Sequence, residues 1–183
     1  MSRQWEALHE LAPVQGKWSF DQRDGATFLG KEHFHTGVCL SRMPFIEGDF
    51  QTQIQANRVL ERVFAGVLLG YKSLRDECIA VGIGGDRYIY SIRRYNGGKH
   101  DWVLIAGSDG EDPLSSHVSC AYWITLRGLT IELRINNLNV LTHTLREPLE
   151  STNFALFAVS ESSNVAFTHI MVRAAPLCLF DFG

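Results

Sequence analysis

Strict alternation of apolar and polar side chains is the sequence feature that most limits how this chain can fold. In residues 49–58 the two sides of the alternation are Phe50, Thr52, Ile54 and Ala56 against Gln51, Gln53, Gln55 and Asn57. A period of two residues is that of a β-strand with one face in the core and one face in solvent. We therefore predict a half-buried strand here, and no segment after Gly16 shows the longer period of a convincing helix.

Two further segments are almost wholly apolar and predict strands at the centre of a sheet. They are Val63–Tyr71 and Cys78–Ile83, and the second is followed by two glycines. Strands that are covered on both faces lose the alternation because neither side meets water. These segments should therefore lie deep in the fold.

A glycine-rich turn predicts a hairpin between the next two strands. Segments Arg87–Tyr95 and Asp101–Ala106 flank the sequence Asn96-Gly97-Gly98, whose residues tolerate positive φ and favour a tight connection. Five more strand-like segments follow, of which the first three should form a meander: Val118–Arg127, Leu129–Ile135, Asn139–Leu145, Phe154–Ser160 and Val165–Arg173. Roughly a dozen short strands separated by turns are typical of an all-β fold with two packed antiparallel sheets.

The 183 residues fit a single domain, for which we predict three parts. Residues 1–15 form an N-terminal arm or a short helix that ends at Pro13, residues 16–175 form the β-sandwich, and residues 176–183 form an apolar tail. The helix is an option because apolar residues recur about one helical turn apart in the first segment. The tail, which is rich in leucine and phenylalanine, should pack on the domain or on a partner in a homodimer.

Composition and charge argue against several classes of partner. Hydrophobic residues make up 45% and charged residues 20% of the chain, which is ordinary for a soluble globular protein. The formal net charge of -3 provides no positive field that would attract nucleic acid. Charged residues interrupt the N-terminus where a secretory signal would be apolar, so we expect a cytoplasmic protein that does not associate with membranes. The cysteines are far apart and should be reduced thiols rather than a disulfide frame: Cys39, Cys78, Cys120 and Cys178.

Five phrases of the sequence occur in an order that points to one superfamily. They are Gly16–Phe20, Gly48–Ile54, Phe64–Tyr71, Thr130–Asn136 and Val165–Val172. In this order they resemble the concanavalin A-like lectin and glucanase superfamily, especially its laminin G-like modules and the domains related to 3-keto-disaccharide hydrolases. The resemblance spans most of the chain and implies an antiparallel two-sheet jelly-roll sandwich.

The resemblance also implies what an enzyme of this superfamily would need. Its glucanases carry alternating acidic residues on one strand in an E-x-D-x-E arrangement, and this sequence has no such run. Retaining glycosidases use two carboxyl groups about 5 Å apart, which alternate residues on one strand face would supply. The absence of this acidic run therefore favours a protein of this superfamily that binds its ligand without catalysis.

Aromatic and basic residues are concentrated between Arg87 and Trp102, which makes this stretch the candidate ligand-binding site. Aromatic rings stack on the apolar faces of sugars, and arginine or histidine donates hydrogen bonds to hydroxyl or carboxylate groups. The residues that we select are Tyr88, Tyr90, Arg94, Tyr95, His100 and Trp102. The alternative is an ordinary strand whose aromatic residues pack in the core while its arginines reach solvent.

An acidic turn and a histidine pair are the candidate metal sites. Asp109, Glu111 and Asp112 could bind calcium at a rim of the sandwich, although an ordinary acidic surface turn has the same composition. His33 and His35 would face the same way on a strand and could share a transition metal. No other cofactor is predicted.

The sequence favours a non-catalytic module that binds a carbohydrate or a partner protein through a sheet face or rim loops. No nucleophile elbow and no phosphate-binding loop is present. One alternative is a carbohydrate-active enzyme of the hydrolase or lyase type, with Glu77, Asp86 or Glu132 acting in a cleft near His100 or an arginine. A second alternative is a structural assembly domain that associates through the C-terminal tail.

Overall fold

The computed structural model describes residues 4–8, 10–21, 25–30, 35–56, 63–73, 75–84, 89–96, 98–99, 101–108, 119–160 and 163–174. Within these residues the chain forms fifteen β-strands and no helix. The strands are β1 (Glu6–Ala7), β2 (Leu11–Gln15), β3 (Trp18–Asp21), β4 (Gly25–Phe28), β5 (His35–Ser41), β6 (Gly48–Ala56), β7 (Val63–Leu69), β8 (Glu77–Ile83), β9 (Tyr90–Asn96), β10 (Asp101–Ser108), β11 (Ser119–Arg127), β12 (Thr130–Ile135), β13 (Leu138–Thr144), β14 (Phe154–Ser160) and β15 (Val165–Ala174). No helix that could cross a membrane occurs in the described part of the chain.

The first sheet has eight strands. Seven follow the order β13-β12-β11-β6-β15-β4-β3, and β1 lies off this path and pairs with β15 on the same side as β4. The predicted meander is confirmed, because β11, β12 and β13 are antiparallel neighbours. The predicted alternation of β6 is confirmed as well: Phe50 and Ile54 are buried, whereas Gln53 and Gln55 are exposed.

The second sheet has seven strands in the order β10-β9-β8-β7-β14-β5-β2. Every residue of β7 is buried, and β8 is buried from Ala80 to Ile83, which confirms that both strands are covered on two faces. The predicted hairpin is also confirmed, since β9 pairs antiparallel with β10. Its turn is fixed by a hydrogen bond from the Lys99 amide to the Asn96 carbonyl oxygen at 3.2 Å.

One apolar core fills the space between the two sheets. It contains Phe50 and Ile54 of the first sheet together with Val67 and Leu156 of the second, all of them buried. Phe50 meets Phe154 of β14 edge to face across this space, with ring centroids 5.7 Å apart. Burial of apolar surface is the main favourable contribution to folding, so this core is what holds the two sheets face to face.

A tyrosine hydroxyl joins the two sheets through the middle of the core. Tyr122 of β11 donates a hydrogen bond to the Val81 carbonyl oxygen of β8 at 2.5 Å. Burial raises the pKa of Tyr122, so the hydroxyl keeps its proton and can donate. Gly66 leaves the space for this contact, because a Cβ atom there would lie 2.1 Å from the Val81 oxygen and 2.8 Å from the Tyr122 hydroxyl.

The N-terminal residues are extended rather than helical. β1 joins the first sheet beside β15, and β2 joins the second sheet beside β5, so the helical option for residues 1–15 is wrong in their described part. Pro13, which we expected to end this segment, lies inside β2. β2 is the outermost strand of its sheet, and an edge strand tolerates proline because one row of its backbone groups needs no ladder partner.

Candidate functional site

Four aromatic rings pack together on the outward face of the second sheet, opposite to the core between the sheets. Trp102 of β10 lies on Tyr95 of β9, with ring centroids 4.2 Å apart. The Trp102 ring also meets Phe64 of β7 at 5.2 Å and Phe157 of β14 at 5.4 Å. These four residues, which we call the aromatic face, belong to an apolar cluster separate from the main core.

Small residues on β8 make room for the aromatic face. A Cβ atom at Gly82 would lie 2.4 Å from the Phe64 ring and 3.0 Å from the Phe157 ring. Ala80, two residues earlier on the same side of the strand, is fully buried in the same cluster. Rings from four strands can therefore meet above β8, where larger side chains would separate them.

Trp102 is the member of the aromatic face that reaches solvent. Phe64, Tyr95 and Phe157 are buried, whereas Trp102 is partly exposed. The Arg93 guanidinium lies over the Phe64 ring at 4.4 Å, and its Nε donates a hydrogen bond to the Ser91 hydroxyl at 3.0 Å. A supported ring beside a positive charge is a surface on which planar, polarisable groups can stack.

Two buried polar groups lie in the same cluster as the aromatic face. They are the Tyr71 hydroxyl and the Cys78 thiol. Burial raises the pKa of Tyr71 to about 12 and the pKa of Cys78 to about 12, so both groups are uncharged at neutral pH. Among the residues that the structure describes, the Tyr71 hydroxyl has no hydrogen-bond partner.

A groove of about 660 Å³ runs along one side of the sandwich, beside the ends of β7, β8 and β9. Apolar side chains lining this side groove include Leu69, Ile79, Val103, Ile105, Leu145 and Leu149, and the charged or titratable ones include Glu77, Arg94, His143, Arg146, Glu147 and Glu150. The outermost strands of both sheets contribute to it, because Val103 lies on β10 and His143 on β13. Its volume lies in the usual range for small-molecule pockets.

One polar contact in the side groove joins β8 and β9. The Arg94 Nε lies 3.9 Å from a Glu77 carboxylate oxygen, and the Asn96 side-chain amide donates a hydrogen bond to the other oxygen at 3.0 Å. Both charged side chains are 57% exposed. Solvent screens such a pair, so it contributes little to stability and leaves both charges accessible to a ligand.

The structure distributes the predicted ligand-binding residues over different surfaces. Tyr95 and Trp102 come together on the aromatic face. Tyr90 is buried in the main core, which agrees with the alternative that aromatic residues of this strand pack in the core. Arg94 lines the side groove. Tyr88 and His100 lie outside the described residues. The described four therefore do not form one continuous site.

The predicted metal ligands and most candidate catalytic acids are not brought together by the described structure. Asp109, Glu111, Asp112, His33 and the side chain of His35 lie outside the described residues, as does Asp86. Within the described part of the chain, no group of three or more histidine, cysteine, aspartate or glutamate residues could hold a metal ion. Each described strand carries at most one carboxylate. Glu132 bonds to Arg134 on the first sheet, away from Glu77 in the side groove.

A buried carboxylate on the outward face of the first sheet is the polar centre that sequence analysis missed. Asp49 accepts hydrogen bonds from Thr125 at 2.8 Å, from Arg127 at 3.1 Å and from Arg173 at 2.7 Å and 2.9 Å. Burial would raise the pKa of Asp49, but these hydrogen bonds together hold it below its ordinary value. Arg173 also lies over the Trp5 ring at 4.7 Å, so the cluster fixes the N-terminal residues to the sheet.

Comparison with known proteins identifies the fold. No protein-family model and no characterised protein matches the sequence. Among solved structures, a carbohydrate binding module, CBM66 from Bacillus subtilis, matches with a TM-score of 0.71 at 9% identity, covering 91% of this chain and 97% of that chain. This chain has the concanavalin A-like jelly-roll fold.

Two other concanavalin A-like structures match at similar coverage. A β-glucanase from Bacillus licheniformis gives a TM-score of 0.61 at 12% identity over 96% of this chain and 99% of that chain. The potassium-bound carbohydrate recognition domain of Emp46p gives 0.58 at 13% identity over 92% and 87%. These matches confirm the predicted fold, whereas the laminin G-like and 3-keto-disaccharide hydrolase-like assignments stay predictions. Identities this low show a shared concanavalin A-like fold and not a shared activity.

Proposed function

We propose that this protein is a non-catalytic module that binds a carbohydrate on the aromatic face. The observation that carries the proposal is the partly exposed Trp102 ring, which three buried rings hold in place. A side chain that is already ordered loses little conformational freedom when a ligand stacks on it. The apolar face of a sugar is the kind of surface that such a ring binds.

Two further observations support the proposal. The solved structures that share this fold include a carbohydrate binding module, a carbohydrate recognition domain and a β-glucanase, which supports a carbohydrate ligand. No described strand carries two carboxylates, and paired carboxyl groups are what most glycosidases use.

A glycan array followed by calorimetric titration tests this function. The array is probed with the purified full chain, and the tightest oligosaccharide is then titrated into wild type and Trp102→Ala. We expect Trp102→Ala to lose about tenfold or more in affinity, because a stacked ring contributes on the order of 1.4 kcal/mol. Binding by Trp102→Ala at the wild-type affinity would contradict the proposal.

The matched control for this experiment is Phe20→Ala. Phe20 is 45% exposed and lies on β3, at an outer edge of the other sheet, so its loss removes an accessible aromatic ring away from the aromatic face. We expect its affinity to equal that of wild type. Because Trp102 also packs on its neighbours, each titration is made well below the melting temperature of the variant.

A second candidate function is a carbohydrate-active enzyme that works in the side groove. The observation that favours it is the meeting of Glu77 and Arg94 in a groove that also contains Glu147 and Glu150. Turnover of an oligosaccharide panel by wild type, abolished in Glu77→Gln, would support this function. Inertness towards the whole panel, together with binding on the array, would contradict it.

A further inference from the structure

A second partly exposed tryptophan lies on the outward face of the first sheet, on the opposite side of the sandwich from the aromatic face. Trp123 of β11 is partly exposed, and Trp5 packs against it with ring centroids 5.4 Å apart and the ring planes at 79°. Arg173 lies over the Trp5 ring and also bonds to Asp49. The two rings are therefore anchored to the sheet, on a surface that the proposed function does not use.

Arg134 of β12 is the accessible positive group beside Trp123. The two residues are partners in the pairing of β11 with β12, and the guanidinium carbon lies over the Trp123 ring, 5.7 Å from its centroid. Attraction between a cation and an aromatic ring helps to hold the cation in place. The Arg134 side chain is nevertheless 41% exposed, so its guanidinium is both ordered and open to a ligand.

Arg134 also keeps hydrogen-bond donors for a ligand. A guanidinium has five N–H donors, and within the described part of the chain Arg134 bonds only to Glu132, at 3.4 Å. Solvent screens this pair, because Glu132 is itself 33% exposed. Arg127 and Arg173 differ from Arg134, since both donate to the buried Asp49 carboxylate. A ligand would therefore meet Arg134 first.

The accessible charge around Trp123 is mainly positive. The contacts described above connect three arginines with two acidic residues, and the acidic residue that bonds to two of the arginines is only 3% exposed. The arginine side chains are 28% to 41% exposed. Because the formal net charge of the whole chain is -3, this surface is a local positive site and not part of a general attraction for anions. The ligand that complements it carries a negative charge.

Neutral hydrogen-bonding side chains extend the surface beside Trp123. Gln51 of β6 is the partner of Trp123 on the other side of β11. Gln53, the next outward residue of β6, is exposed and donates to the Ser119 hydroxyl at 2.8 Å. A side-chain amide offers a donor and an acceptor on one planar group, which suits the neighbouring hydroxyl groups of a sugar. Three adjacent strands thus present a guanidinium, an aromatic ring and an amide in one row.

We propose that this row is a second carbohydrate-binding site, which takes an acidic sugar by bonding its carboxylate to the Arg134 guanidinium. The planar carboxylate matches the fork of guanidinium donors. Trp123 supports the guanidinium and contacts the apolar part of the sugar, and Gln51 bonds to its hydroxyl groups. Arg134 and Trp123 already reach solvent, so the ligand needs no opening of the fold. The site lies on the other sheet and takes another class of sugar, so it goes beyond the proposed function.

Calorimetric titration of the full chain with acidic oligosaccharides tests the second site. The probes are an oligogalacturonate, an alginate oligomer and a hyaluronan fragment, each compared with its methyl ester, which keeps the sugar and removes the charge. We expect at least one acid to bind about tenfold or more tightly than its ester, and Arg134→Gln to bind that acid about tenfold more weakly than wild type.

The matched control for this titration is Arg42→Gln, which removes the same charge elsewhere. Arg42 is exposed and follows β5 of the second sheet. We expect this variant to bind the acid like wild type. Thermal unfolding of both variants checks that each is folded at the temperature of the titration.

Several results would overturn the inference. They are equal affinity for every acid and its ester, binding of no acid in the panel, and equal affinity of Arg134→Gln and wild type for the acid. Equally tight binding of an oligoglutamate would overturn it as well, because the surface would then bind anions without regard to the sugar.

Trp102→Ala separates the second site from the aromatic face. We expect this variant to keep the acidic ligand. If Trp102→Ala loses the acid while Arg134→Gln keeps it, the second site is wrong and the proposed function stands. If Trp102→Ala instead binds every neutral glycan like wild type, the proposed function fails, and the comparison of Arg134→Gln with Arg42→Gln still decides the second site.

Discussion

Asp49→Asn tests whether the buried carboxylate on the first sheet stabilises the fold through its charge. The Asp49 side chain is 3% exposed and accepts bonds from Arg127 and Arg173, which are 41% and 28% exposed. Removing one charge of a fully buried pair costs about 3–5 kcal/mol. Here both arginines reach water and can be partly solvated after the change. We therefore expect a loss of about 2–3 kcal/mol in the free energy of unfolding at pH 7.

The pH dependence of this loss provides the sharper measurement. The pKa of Asp49 is lower in the folded state than its ordinary value, so its ionisation stabilises the fold above the unfolded-state pKa of about 3.9. This contribution disappears as the pH falls through the lowered, folded-state pKa. Urea unfolding of wild type and Asp49→Asn, followed by circular dichroism from pH 7 downwards, should show a constant difference that closes only below about pH 4.

At low pH Asp49 is protonated and should be nearly equivalent to asparagine. A stability difference between wild type and Asp49→Asn that stays constant through the acid range would therefore refute this explanation. A difference below about 0.5 kcal/mol at pH 7 would refute it as well. The control is Glu132→Gln on the same sheet. The Glu132 side chain is 33% exposed and lies 3.4 Å from Arg134, so its loss should cost less than about 1 kcal/mol.

Three further predictions concern the core and its thiols. Tyr122→Phe should lower the free energy of unfolding by about 1–2 kcal/mol in urea, because the Val81 carbonyl loses its donor across the core; an unchanged midpoint would contradict this. Gly82→Ala should cost about 1–3 kcal/mol, since the new methyl group would overlap the ring of a neighbouring phenylalanine, and a neutral effect would show that the ring moves freely. Cys178→Ser leaves the thiols of Cys39, Cys78 and Cys120. In the folded variant these thiols should not react with Ellman's reagent at pH 8, because burial raises the pKa of Cys39 and of Cys78 to about 12. They should react after unfolding, and labelling that is faster than unfolding would contradict their burial.

The fold was predictable because its signals are local. A run such as β6 alternates in its own residues, so its core face can be assigned before its neighbours are known. The wholly apolar β7 likewise indicates a central strand. The N-terminal residues were less predictable, because the strand character of β1 depends on pairing with β15 at the other end of the chain. Tertiary pairing of this kind overrides local spacing in so short a segment.

The candidate site was only partly predictable because it is assembled from distant strands. Alternation assigns Tyr90 and Tyr95 to opposite faces of β9, but the sequence does not show which face the other sheet covers, since both faces carry aromatic residues. Phe64 and Phe157 complete the aromatic face from β7 and β14, and both read as ordinary core residues in their apolar strands. Gly82 was the residue that could have indicated the aromatic face, because the Phe64 and Phe157 rings pack against it. This contact becomes visible only when the order of the strands in the sheet is known.

The position of β15 has a consequence for when the native structure can form during synthesis. β15 is the partner of β6 on one side and of β1 and β4 on the other, and the Leu8 amide bonds to the Ile170 carbonyl oxygen at 2.9 Å. A ribosome synthesises the chain from its N-terminus at about 5–20 residues per second, so β1, β4 and β6 cannot pair with their common neighbour until β15 has been made. Until then the unpaired edge of β6 is a surface for chaperones or for aggregation.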